Sequence, residues 1–380
     1  MTLAVPLRIS RAPAAALSAV GLIWGSLAAM LPRIKAELGV NDAQLGMLLF
    51  LAALGSIGAM ALAPRVEARA PKTALPIAGV AIAFALLVLG PSSDRVFICA
   101  VALTAVGMTT GLLDVLGNAR IASLEAASGR SLMNLNHAVY SFSYAAAAAL
   151  TGLARDLGLS TELWFAMVAA AALALVPVMR QDTPRVEMQG ERSTPGPVPI
   201  VAILAGLIAM VSFFAENATE HWSALHIERT LGQGAALGAL GPAMLGLTMG
   251  VGRLAGHFVT RKGAETRILP IAASIASGGL ALAAAAGSPW VAYLGFALLG
   301  LGVSVIVPLA FALAGQAADE PGRAHAVARA AMISYFGFFV GPPLVGFVAE
   351  AAGLRAAFGV VSALLFTVTI TLSLAIARRR

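Results

Sequence analysis

Runs of about twenty apolar residues, broken by short charged or glycine-bearing loops, recur along the whole 380-residue chain. Each run can cross a hydrocarbon core of about 30 Å as a helix. Inside such a core every backbone polar group must find a partner within the protein, which leaves helices or a closed barrel. Barrel strands alternate apolar and polar residues over about ten positions, and these runs do not alternate. The chain therefore reads as an all-α membrane protein. Charge agrees: Asp, Glu, Lys and Arg make up 11% of residues, against about a quarter in a soluble domain.

The pattern predicts twelve transmembrane helices, at 13–32, 43–63, 73–91, 96–119, 131–153, 161–179, 199–224, 235–258, 266–287, 290–315, 327–349 and 354–377. The first run lacks a convincing cleavage site and is read as a retained span. An even number of spans puts both termini on one side. Placing them in the cytoplasm puts 19 of the 25 Lys and Arg residues inside and 6 outside, a strong positive-inside bias. Arg253 counts among the 19, and Arg155 and Arg229 among the 6. The net charge of +7 is thus topology, and no nucleic-acid partner is needed to explain it. The expected location is a bacterial inner membrane, multi-pass, with both termini cytoplasmic.

The longest polar connection, "RQDTPRVEMQGERSTPGPVP", lies near the midpoint. Its Pro, Gly and charge mark a linker. It divides an N-terminal six-helix bundle (1–179) from a C-terminal one (199–380), with 180–198 as a cytoplasmic linker. The halves are weakly similar at an offset of about 190 residues: "GLLDVLGNARIASLEAASGR" faces "LGVSVIVPLAFALAGQAADEPGR". Two parallel repeats are a transporter architecture, with the solute held between them near the midplane.

A charged side chain at mid-helix costs about 2.5–3.5 kcal/mol on insertion scales, so intramembrane acids are functional candidates. Asp114 lies on one helical stripe with Gly107, Gly111 and Asn118. His137 falls at nearly the same depth on the neighbouring fifth span. A carboxylate and an imidazole in contact can hold and release a proton; the same pair could equally brace the bundle. Glu216 lies roughly 25 Å along the seventh span at 1.5 Å per residue, with Asn217 beside it. Glu220 and His221 are expected to be solvated, and Trp222 to anchor at the interface. Trp24, Asn136, Tyr140 and Tyr335 are further polar or aromatic candidates for the solute site. Pro308, Pro342 and Pro343 mark expected kinks.

Several stretches together resemble the major facilitator superfamily, in a bacterial branch similar to the fucose permease group. They are "GLLDVLGNAR" on the fourth span, "RSLMNLNHAVYSFSYA" on the fifth and "FFAENATEHWSALHIERTLG" on the seventh. "MGVGRLAGHFVTRKGAE", "GLGVSVIVPLAFALAGQ" and "GFFVGPPLVGFVAEAAGLRAAF" continue the likeness to the eleventh span. The resemblance implies two six-helix bundles, alternating access, and Asp114 and His137 where that group carries an acid and a polar amide. It also implies gating residues in the loops after spans 2 and 8, here Arg65, Arg253 and His257. This chain departs from the family there: "APRVEARAPK" has Glu67 as its only acid, and His257 replaces an aspartate. Those departures put the usual gating pair in question.

The resulting expectation is a secondary transporter for a small polar solute, a sugar or sugar derivative by resemblance, working by proton-coupled symport. Protons, the solute and the lipid bilayer are its expected partners, and the chain is read as a monomer. The proton-coupling set is Asp114, His137 and Glu216, and the solute set is Trp24, Asn118, Asn136, Tyr140, Asn217 and Tyr335. A drug or metabolite exporter of the same fold is the alternative; a membrane sensor fits less well, because the termini are short. No phosphate-binding loop, metal-ligand cluster or nucleophilic triad occurs. Neither enzyme activity nor a cofactor or metal is expected, and the single Cys99 excludes an intramolecular disulfide.

Overall fold

The computed structural model describes residues 3–92, 94–180, 198–258, 265–319 and 322–378. The expected linker falls almost wholly at 181–197, outside the described residues. The helices are α1 (Arg11–Leu38), α2 (Asp42–Arg69), α3 (Ala74–Leu89), α4 (Val96–Ser128), α5 (Met133–Asp156) and α6 (Thr161–Leu175). The second bundle has α7 (Ile200–Leu225), α8 (Ala235–Phe258), α9 (Glu265–Ala285) and α10 (Pro289–Gln316). A last helical stretch, Arg323–Ala377, breaks at Gly353, where φ is 82° and ψ 165°, into α11 (323–352) and α12 (354–377). A short helix, Ala4–Ile9, precedes α1.

Among the described residues, nine helical stretches are long and apolar enough to cross a membrane, and the last of these supplies two spans. The twelve are completed by α6, which is short, and α5, which is polar. Asn134, Asn136, His137, Tyr140, Ser141, Ser143 and Tyr144 all lie on α5. Such a helix is tolerable in a membrane only if these groups face protein or a cavity.

Local chemistry sets the helix ends. Asn41 and Gln44 form a reciprocal capping box at the start of α2, and the Ser160 hydroxyl accepts from the Leu163 N–H at the start of α6. Gly39 and Gly129 adopt φ of 64° and 65° and end α1 and α4. Several helices outrun the expected spans, because hydropathy marks only the apolar window while the helix continues into polar residues. The clearest case is α4, expected to end at 119 and running to Ser128. Likewise α7 continues past Leu225 as a π-helical turn, His226–Thr230.

Helices in lipid associate by close packing, and small residues permit it. A Cβ on Gly107 of α4 would collide with the Ala52 carbonyl oxygen of α2. Gly107→Ala must therefore push the two helices apart, at about 1–3 kcal/mol for overpacking. The melting temperature of the purified variant should fall; an unchanged value would contradict this packing. Across the bundle interface, α2 meets α11 through Gly46 and Gly346, and α5 meets α8 through Gly152 and Ala239. Both termini emerge at one end of the molecule, the termini end; the opposite end is called distal.

Candidate functional site

The seventh helix is central. Every residue from Phe214 to Leu225 is buried, which corrects the expectation for its last turns. Glu220 and His221 are 8% and 4% exposed and Trp222 is fully enclosed, so the acid and histidine are not solvated and the Trp222 ring cannot anchor in lipid headgroups. The Glu-His-Trp pattern looks interfacial only if the helix ends nearby. Here it runs on through the π turn, surrounded by other helices.

Glu216 projects from α7 toward α8, where an Arg253 Nη lies 3.2 Å from its carboxylate. The other Arg253 Nη donates to the Ser141 hydroxyl of α5 at 2.6 Å. One guanidinium thus ties an acid of the second bundle to a hydroxyl of the first. Arg253 was expected at the gate after span 8 and among the cytoplasmic loop cations. It lies inside the expected eighth span, in α8, and its long side chain carries the charge into the bundle interface rather than to a loop.

Among the described residues no hydrogen bond or ion pair joins Asp114 directly to His137. The Asn118 carbonyl oxygen lies 3.0 Å from His137 Nε2, and the Asn118 side chain also hydrogen-bonds Asp114. Because the Asn118 oxygen is an acceptor, His137 Nε2 carries the proton in that contact. The expected pair is therefore a hydrogen-bonded chain of three side chains, Asp114, Asn118 and His137, on α4 and α5. Asp114 also lies within electrostatic reach of Arg253 and of Tyr335 on α11, so both bundles meet at this point.

The other candidates divide. Trp24 on α1 meets His221 on α7 edge to face, ring centroids 5.7 Å apart. Tyr140 stands 6.3 Å from Tyr144 and within electrostatic reach of Glu216, Glu220 and Asp114. Tyr335 stacks with Phe213 at 6.2 Å, and Phe338 joins them. The buried Asn217 oxygen has no hydrogen-bond partner among the described residues and lies beside Gly341 of α11. Asn136 is elsewhere: its amide nitrogen donates to Ser10 and to the Leu132 carbonyl, bracing the N-terminal helix against α5. Although one turn from Tyr140, it is rotated out of the interface. Arg65 is exposed and donates to the Ala61 carbonyl of its own helix. The His257 side chain lies outside the described residues. Glu67 has a partner the sequence did not suggest: it pairs with the buried Arg120 at 3.1 Å, and Arg120 also donates to the Pro71 carbonyl.

At the distal end, ion pairs join the two bundles. Arg229 makes two bonds to Asp42, of 2.7 and 2.6 Å, and Arg155 makes two to Glu228, of 2.6 and 2.9 Å. The Glu350 carboxylate accepts from the Asp42 backbone N–H at 2.9 Å, and Asp156 accepts from the Ala236 N–H. At the termini end, the Glu67–Arg120 pair and the Gln316–Glu265 bond each stay within one bundle. Trp24, Asp114, Asn118, Tyr140 and Tyr335 are only partly buried, and the distal end is latched by the inter-bundle ion pairs.

The model of the family described as Major Facilitator Superfamily matches residues 14–324 and 270–380. An uncharacterised MFS-type transporter of Yersinia pestis is 29% identical over 359 residues, covering 92% of this chain and 91% of its own. Among solved structures, a bacterial homologue of the human lysosomal transporter Spinster, inward-facing and unoccupied, superposes with a TM-score of 0.73. It is 13% identical over 99% of this chain and 98% of that one. The nucleoside transporter NupG gives a TM-score of 0.70, at 14% identity over 100% of this chain and 99% of that one. Two six-helix bundles meeting at a polar interface, with a family match running nearly end to end, identify this membrane transporter as a member of the Major Facilitator Superfamily.

Proposed function

We propose that the chain is a secondary active transporter that moves a small polar solute by alternating access, coupled to protons in symport. The observation that carries this reading is the placement of Arg253, Glu216 and Ser141 across the bundle interface, beside the hydrogen-bonded chain of Asp114, Asn118 and His137. The Arg253–Ser141 bond crosses between the bundles and can be remade when they rock, and protonation of Glu216, which holds Arg253 within the second bundle, can then bias which arrangement is stable. The positive-inside bias supports a cytoplasmic termini end; on that orientation the end latched by the inter-bundle ion pairs faces outward. The solute class follows from the polar lining and from the motifs resembling the fucose permease branch; sugars and sugar derivatives head the candidates. The aromatic cluster of Phe213, Tyr335 and Phe338 favours the second reading, an exporter of amphipathic compounds.

Asp114→Asn should abolish accumulation against a gradient while leaving exchange intact, because the amide keeps the shape and the Asn118 contact but cannot carry a proton. The assay is uptake into proteoliposomes under an imposed pH gradient, compared with counterflow at equal pH. The solute is whichever member of a sugar, nucleoside and amine panel stabilises the wild-type protein. A variant that concentrates solute as well as wild type reduces Asp114 to a structural residue.

A further inference from the structure

Three carboxylates and one guanidinium meet between the bundles: Asp114, Glu216, Glu220 and Arg253. Their partners are unequally shared. Glu216 has Arg253 at 3.2 Å, and Asp114 has Asn118. Arg253 has its two terminal nitrogens committed to Glu216 and Ser141. The Glu220 carboxylate has neither a hydrogen bond nor an ion pair among the described residues; only its backbone carbonyl is used, by the Tyr144 hydroxyl at 3.4 Å. It lies one helical turn from Glu216, on the same face of α7.

A carboxylate more than nine-tenths buried, without a hydrogen bond or ion pair of its own and one turn from a second acid, is an expensive feature in a membrane helix. Arg253 is within electrostatic reach of Glu220, but both its terminal nitrogens are committed to Glu216 and Ser141. Among the described residues this leaves Glu220 without a cation in contact and suited to one that arrives with the solute. Trp24 and Tyr140 are only partly covered, and aromatic faces of this kind attract cations. The neighbouring His221 ring has Nδ1 2.9 Å from the Asn217 carbonyl oxygen. Since that oxygen can only accept, Nδ1 carries the proton, and in the neutral ring Nε2 is left as an acceptor. Carboxylate, imidazole nitrogen and aromatic faces together make a receptor for an N–H-bearing cation.

We propose that the transported solute carries a protonated amine and that Glu220 receives it, with Trp24 and Tyr140 flanking the ammonium group. This rests on the reading of the bundle interface as the solute site. Arg253 remains the partner of Glu216, and Glu220 supplies the charge that distinguishes an aminated solute from its neutral counterpart.

The test uses the full-length purified protein and matched solutes that differ in the amine charge: glucosamine against N-acetylglucosamine, putrescine against 1,4-butanediol, and phenethylamine against phenethyl alcohol. Binding is read by calorimetry and by ligand-induced thermal stabilisation. In at least one pair the amine should bind tenfold or more tightly than its neutral partner. Glu220→Gln should erase that preference while its ligand-free melting temperature holds or rises, since the change removes an unpaired buried charge. Glu220→Asp, which keeps the charge on a shorter arm, should retain part of the preference and guards against a misfolded amide variant. Neutral members binding as well as their amines, no member of the panel binding, or Glu220→Gln keeping the discrimination would each overturn the proposal. Gradient-driven uptake of a neutral solute would sink this inference and leave the transport reading standing. An amine that binds through Glu220 but is never concentrated would do the opposite.

Discussion

Replacing Arg253 with methionine is expected to stop transport and to cost the protein more stability than any other single change in the interface. Among the described residues the guanidinium is the only cation in contact with Glu216, whose side chain is 7% exposed. Removing one partner of a buried pair strands the other charge, at about 3–5 kcal/mol. The loss also frees the Ser141 hydroxyl, and with it the hydrogen bond by which this side chain reaches the other bundle. The double variant Arg253→Met/Glu216→Gln separates the two roles, because a neutral pair of similar volume removes the stranded charge. Its melting temperature should return most of the way to wild type while uptake stays at least tenfold down. Recovery of uptake together with stability would make the pair a structural brace.

Much of the architecture could be read from the chain before any coordinates. Span count, the two-bundle division and the choice of Asp114 and Glu216 as candidates all follow from one rule, that lipid penalises charge and rewards apolar length. The same rule misled where a helix outlasts its apolar window. Glu220, His221 and Trp222 looked like the wet end of α7 because hydropathy averages over a window and cannot see the neighbouring helices that enclose the last turns. Arg253 looked like a loop cation because it stands four residues before His257, and only the reach of its side chain places its charge on Glu216. Asn118, a solute candidate from the sequence, also bridges Asp114 and His137; the three lie 4 and 19 positions apart, and a helix-face argument covers only the first spacing. The distal ion pairs were beyond pattern reading altogether. Asp42 and Arg229 are separated by 187 residues and Arg155 and Glu228 by 73. Their partnership exists only in the arrangement where the bundles touch at that end.

Those distal pairs carry the second large expectation. Each is bidentate and charge-assisted, which makes it stronger than a neutral bond, and each forms only while the distal end is shut. Arg155 and Glu228 are 8% and 18% exposed; the Asp42 pair counts for less, because its arginine is 43% exposed and screened by solvent. Asp42→Asn with Glu228→Gln removes both pairs and should shift the ratio of distal-open to distal-closed molecules by roughly ten- to a hundredfold, since each 1.4 kcal/mol of differential stability is a factor of about ten.

Alternating access requires the two ends of the molecule to move in opposition, and a pair of spin-label distances reads that directly. In a Cys99→Ala background, labels at Leu157 and Ala351 span the distal end, and labels at Ala68 and Ala328 span the termini end. All four positions are exposed. Pulsed-EPR distances in lipid nanodiscs should show one dominant population at each end in the wild type. In the Asp42→Asn/Glu228→Gln variant a longer distal distance should gain population while a shorter distance at the termini end gains the same fraction. Distances that lengthen together at both ends, or that leave both distributions unchanged, would contradict a transporter that rocks about the bundle interface bridged by Arg253 and Ser141.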